Sequence, residues 1–158
     1  MRKTMRVDDA PRANCAEFYC TIDGQRRNML SAKKFEAKAT PTLADVKALG
    51  MLVTGKKATG LELKFNCTVY KCSSMFDDVI TGFKDTGIMP RFEAQITSSD
   101  AASDIGADTK VYHDCIISGD VLLSMFDESG DFIEQEIEGY AMDYDHQEKY
   151  TDPDYMGD

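Results

Sequence analysis

The chain has 158 residues, 42% of them hydrophobic, which is enough for one domain with a true core and excludes a disordered polymer. Its formal charge of -10 is unevenly placed: residues 1–98 hold 16 Lys+Arg against 11 Asp+Glu, and residues 99–158 hold 2 against 17. The acidic surplus argues against a free DNA-binding role, which needs exposed basic charge, and no apolar run approaches a membrane-spanning length.

In chain order, residues 1–14 are polar and aperiodic and are expected to form a flexible N-terminal arm. They start basic, but no apolar run follows, so they do not read as a signal peptide. The run CAEFYCTI (15–22) is β-rich and leads into Asp23-Gly24, a strong hairpin signal. The return run RRNMLSAKKFEAKA (26–39) reads as one strand. Residues 40–60 carry a proline, several glycines and helix formers. They read as a long excursion with weak internal structure, expected to make contacts between subunits because a compact domain rarely keeps such a loop without a use.

LELKFNCTVYK (61–71) is the cleanest strand. Leu61, Leu63, Phe65, Cys67 and Val69 share one face, while Glu62, Lys64, Asn66, Thr68 and Tyr70 share the other. The period then changes. Met75, Phe76, Val79, Ile80 and Phe83 are spaced as on one helix face, with Ser73 or Ser74 to cap the start, Asp77 and Asp78 in the first turn and Gly87 at the stop. Alternation returns in PRFEAQITS (90–98). After a small-residue loop at 99–108, residues 109–145 read as three strands with tight turns at 118–120 and 129–131. Residues 146–158 form an acidic tail. About seven strands and one helix predict a mainly β protein, a β-sandwich or barrel with one short α-helix.

The sequence offers no catalytic, cofactor-binding or metal site. Cys15 and Cys20 are five apart, as are Cys67 and Cys72, so each pair falls on opposite strand faces, unlike a zinc knuckle. The odd count of five cysteines fits reduced thiols in a cytosolic setting. His113 is expected on the face of Val111, Cys115 and Ile117, where a Cys115–His113 pair lacks the geometry of an activated nucleophile. Asp127, Ser129, Asp131 and Glu138 imitate a calcium loop, but Phe132 stands where its sharp turn needs glycine.

Glu134, Glu136 and Glu138 are more unusual. They lie two apart, on one strand face, and no lysine or arginine occurs between Lys110 and Lys149. The charge split between the two parts of the chain raises a related possibility: basic and acidic parts of neighbouring copies could meet head to tail, although the same charges could also simply solvate separate surfaces.

The order of elements, the turn KKATGLELKF (56–65) and the acidic run into FIEQEIEGYAMDYD (132–145) resemble the XkdM-like tail-tube proteins of contractile-tailed phages and phage-tail-like bacteriocins. The likeness covers most of residues 15–145. It implies a homo-oligomer: hexameric rings in which the sheets of six subunits join into one ring barrel, stacked into a tube. It further implies a virion tail assembled in the host bacterial cytoplasm, sheath and baseplate partners, no cofactor, no enzymatic activity, and DNA that passes through the lumen without specific binding. On this reading either Glu134, Glu136 and Glu138 or the rival set Glu62, Lys64, Asn66 and Thr68 faces the lumen. The alternatives are a tube of a bacteriocin or secretion system, and a monomeric ligand-binding β-barrel.

Overall fold

The alternation at residues 61–71 becomes the central strand of a two-layer antiparallel β fold, in a computed structural model that describes residues 4–156. Residues 1–3 of the expected arm and 157–158 of the expected tail lie outside the described residues. In chain order the elements are β1 (Ala16–Ile22), β2 (Gln25–Asn28), β3 (Ala32–Val46), β4 (Gly55–Tyr70), α1 (Met75–Thr86), β5 (Phe92–Ser99), β6 (Ala107–Ser118), β7 (Glu134–Ala141) and β8 (Asp143–Glu148). One layer runs β2-β1-β5-β6 and the other β6-β7-β4-β3. Strand β6 serves both, pairing with β5 and β8 along its first part and with β7 at Ile116–Ser118.

The core lies between the layers. Phe18, Cys20 and Ala94 of the first layer face Phe65, Cys67, Val69 and Ile137 of the second, all buried. Aromatic rings bridge the gap: Phe18 meets Phe35 edge-on at 4.9 Å, and Phe65 meets Phe92 at 5.9 Å. Helix α1 closes one end with Met75, Phe76 and Val79 buried, as its spacing predicts, while Ile80 is half-buried and Phe83, expected on the same face, is exposed in the last turn. Gly87 ends it at φ 75°, its N–H bonding the carbonyl of Phe83 at 2.8 Å. The Asp23-Gly24 turn also forms as expected, with φ of 53° and 77°.

Several expectations are revised. The single strand over 26–39 is two, because the chain crosses from one layer to the other at residues 29–31. The excursion at 40–60 is a paired hairpin: β3 and β4 stay in register with one shift, between Thr42 and Leu43, out to Val46 and Gly55. Beyond Thr40 and Glu62 nearly every residue of it is exposed, so both faces are wet and the hydropathy alternation that marks a half-buried strand is missing. The middle strand expected within 109–145 does not form; residues 119–133 are a loop, and a further strand, β8, forms at its far side. His113 shares an outer face with Val111, but Cys115 and Ile117 point inward. Residues 112 and 115 oppose Ala94 and Phe92, so β6 carries one extra residue there, with Asp114 at φ 50°.

Residues 4–14 are tied to the body. They include a 3-10 turn at Val7–Asp9, and the carbonyl of Asp8 accepts from the N–H of Asp104. Arg12 grips Asp100 through three hydrogen bonds of 2.8–3.1 Å.

Candidate lumen face

The two rival polar ladders lie on one face. Strands β4 and β7 are antiparallel neighbours, and their register sets Asn66 opposite Glu138, Thr68 opposite Glu136 and Tyr70 opposite Glu134. Directly opposed residues in an antiparallel pair point to the same side. Strand β3 extends the face on the other flank of β4, with Thr40 opposite Glu62, Lys38 opposite Lys64, Glu36 opposite Asn66 and Lys34 opposite Thr68. All seven candidates, Glu62, Lys64, Asn66, Thr68, Glu134, Glu136 and Glu138, therefore share one surface, where each is exposed or half-buried. Their chain neighbours Phe65, Cys67, Val69, Gln135 and Ile137 are buried on the other side.

The structure supplies the counter-charge that the sequence hides. A bulge between Ala32 and Lys34 inserts Lys33, turning two consecutive lysines to the same side. The Nζ of Lys33 donates to Glu134 at 2.7 Å and lies 5.4 Å from the centre of the Tyr70 ring. Glu36 sits between Lys38 and Lys34, at 2.6 and 3.3 Å, and hydrogen bonds from these two lysines hold its carboxyl below the usual range. Four lysines (33, 34, 38, 64) thus share the face with five glutamates (36, 62, 134, 136, 138), three of the lysines (33, 34, 38) in ion pairs with Glu134 or Glu36, and the face is mixed, with one excess negative charge. No local pattern in 131–145 could reveal this, because Lys33, which pairs with Glu134, comes 101 residues earlier in the chain.

The remaining candidates fall elsewhere. Cys20, Cys67 and Cys115 are buried in the core, and burial pushes each thiol up to about 12. Cys72 is exposed and Cys15 half-buried. His113 lies on the outer face of the first layer, 2.8 Å from both Glu93 and Asp145. The carboxylate of Asp127 caps a turn by accepting from Ser129 N and Oγ, at 3.0 and 2.9 Å.

The chain is thus a two-layer β fold with a wet polar ladder on one side of its second sheet and the core on the other. Solved structures share it. A chain of the anti-feeding prophage cap (AFP tube terminating cap) superposes with a TM-score of 0.65 at 10% identity, covering 92% of this chain and 95% of that one. A chain of the PVC sheath-tube complex, from an extracellular contractile injection system in its extended state, gives 0.60 at 13% identity over 82% and 87%. By sequence, the phage-like element PBSX protein XkdM of Bacillus subtilis (strain 168) is 28% identical over 131 residues, 83% of this chain and 87% of the relative. Residues 3–148 match the family described as phage tail tube protein, and the chain belongs to that family.

Proposed function

We propose that this chain is the structural subunit of a phage tail tube, forming stacked hexameric rings whose lumen conducts DNA during ejection, and that the β3-β4-β7 face lines that lumen. The observation that carries this reading is the register that unites both polar ladders on one uncovered surface backed by the core. Strand β3 ends its layer and presents an open edge. Joining such edges between six copies removes them and leaves one sheet face inward. A conduit must not bind its cargo. Three of the four lysines of this face are held by glutamates, and with about one surplus negative charge per copy the face offers phosphates no free cationic ladder.

On this reading residues 15–145 form the tube body, the N-terminal arm and the 40–60 hairpin make contacts between subunits, and 146–158 is an acidic tail. Sheath and baseplate proteins are the outer partners, and no catalytic step or cofactor is involved. Assembly takes place in the host bacterial cytoplasm. Changing Glu134, Glu136 and Glu138 together to Gln tests the lumen assignment. The variant should fold and form rings while DNA delivery slows. Loss of assembly with a folded monomer would move these glutamates to a subunit interface. The near balance of charge also suits a contractile bacteriocin or injection particle that carries no DNA; headless particles from the producing cell would favour that second reading.

A further inference from the structure

Where the chain crosses from one layer to the other at residues 29–31, a cavity of about 310 Å³ opens beside the start of α1. Gln135 of β7 forms part of its wall. This residue stands opposite Val69 in the β4–β7 ladder, on the core side of the second layer, and is 4% exposed. Its Oε1 is buried and has no hydrogen-bond partner among the described residues. The neighbouring main-chain donors are already used. Tyr70 N bonds the carbonyl of Ser31, Lys71 N that of Ile133 and Cys72 N that of Tyr70, while Met75 N bonds Ser73 Oγ.

A buried acceptor without a donor costs stability, so it calls for a partner from outside the subunit. Water fits poorly. A buried water holds about two to four polar partners, and the wall around Gln135 is formed by Met29, Val69, Met75 and Phe76. These groups also define what would fit. Two thioethers and a phenylalanine ring favour a flat aromatic body. The volume lies at the lower end of ligand cavities and suits a bicyclic ring. A single orphan acceptor asks for a single donor. Leu30, 88% exposed, and the exposed Asn28 edge the mouth, so the cavity is approached over a partly apolar rim.

We propose that this cavity binds an indole-type ligand, a planar apolar ring whose N–H donates to Gln135 Oε1. The same chemistry arrives either as a free indole compound or as a tryptophan side chain of another protein. The chain contains no tryptophan, so another copy cannot supply it. The site lies on the opposite side of its sheet from the wet β3-β4-β7 face and does not depend on the tube reading.

Fluorescence titration of the intact chain tests it. Because the protein lacks tryptophan, emission excited beyond the tyrosine band comes from the added ligand alone. Indole should bind with a blue-shifted emission, about five- to tenfold more tightly than 1-methylindole, which keeps the ring and lacks the donor. Gln135→Leu should bring the two to about equal affinity. That variant removes the unpaired acceptor, so it should fold at least as stably as the parent, which a melting curve verifies. Should it fail to fold, the comparison of the two indoles on the parent still decides. N-acetyltryptophanamide separates the sources. Binding as tight as indole or tighter assigns the cavity to a protein side chain, and rejection of the amide beside bound indole assigns it to a free compound. Failure of both indole and the amide to bind, indole that binds no better than 1-methylindole, or an advantage that persists in Gln135→Leu would overturn the proposal.

Discussion

Gly139 lies opposite Phe65 in the β4–β7 ladder, and the Phe65 ring fills the space that a side chain at 139 would occupy. A Cβ there would stand 2.2 Å from the carbonyl oxygen of Ile116 and 2.7 Å from Phe65 Cζ. The first of these is backbone in a paired strand and has nowhere to go. Gly139→Ala should therefore destabilise the chain by about 3 kcal/mol through forced strand separation, and larger residues by more. Urea unfolding measures this; a change within experimental error would mean that β6 and β7 are looser than their register implies.

Asp100 should control acid stability. Its side chain is 3% exposed and accepts from Arg12 N and Nε on one oxygen, and from Arg12 Nη2 and Ala102 N on the other. These bonds, the Arg12 guanidinium's first, hold the carboxyl well below the usual range. A depressed folded pKa means that the stabilisation is fully present above about pH 4 and is lost as pH falls through the folded value. Asp100→Asn should lower the melting temperature at neutral pH and flatten the acid limb of the stability curve. An unchanged acid limb would show that the arm residue Arg12 is not held in solution.

His113 works in the opposite sense. Hydrogen bonding to Asp145, reinforced by the charges of Asp145 and Glu93, raises its pKa against the pull of burial. The contribution is fully present below about pH 6.5 and is lost as pH rises through the raised folded value. Asp145 belongs to β8, a strand paired, among the described residues, to β6 alone. Hydrogen exchange across β8, corrected for intrinsic rates, should quicken as pH rises past neutrality, and His113→Gln should remove that dependence.

Much of the fold was legible in the sequence where one face is dry. β4, α1 and the Asp23-Gly24 hairpin could be read because burial imposes a period on Leu63–Val69 and on Met75–Val79. The outer hairpin could not, since a strand wet on both faces has no pattern to betray it. The apolar run 120–126 misled for the converse reason: only its start reaches the core, where Val121 packs, while Leu123, Met125 and Phe126 stay exposed and the run pairs with no strand. Two bulges, at Lys33 and at His113-Asp114, each shift face parity by one residue. The first hid the lysine that pairs with Glu134, and the second misplaced Cys115 relative to His113. The candidate face itself was half legible: both polar ladders could be read, but their union depends on a pairing between strands more than sixty residues apart.

The cysteines should divide into two classes. Cys20, Cys67 and Cys115 have thiols pushed up by burial to about 12, so at pH 8 they present almost no thiolate. Alkylation of native protein at that pH should label Cys15 and Cys72 alone, with the other three reacting only in denaturant. Mass spectrometry counts the adducts, and native labelling of Cys67 would show that the layers open readily.

The most direct measurement is electron cryomicroscopy of the purified chain. Six-fold rings or stacked tubes are expected, with Glu62, Lys64, Asn66, Thr68, Glu134, Glu136 and Glu138 on the inner wall. Monodisperse small particles at high protein concentration, or rings that turn the β3-β4-β7 face outward, would contradict the tube assignment and the lumen face respectively.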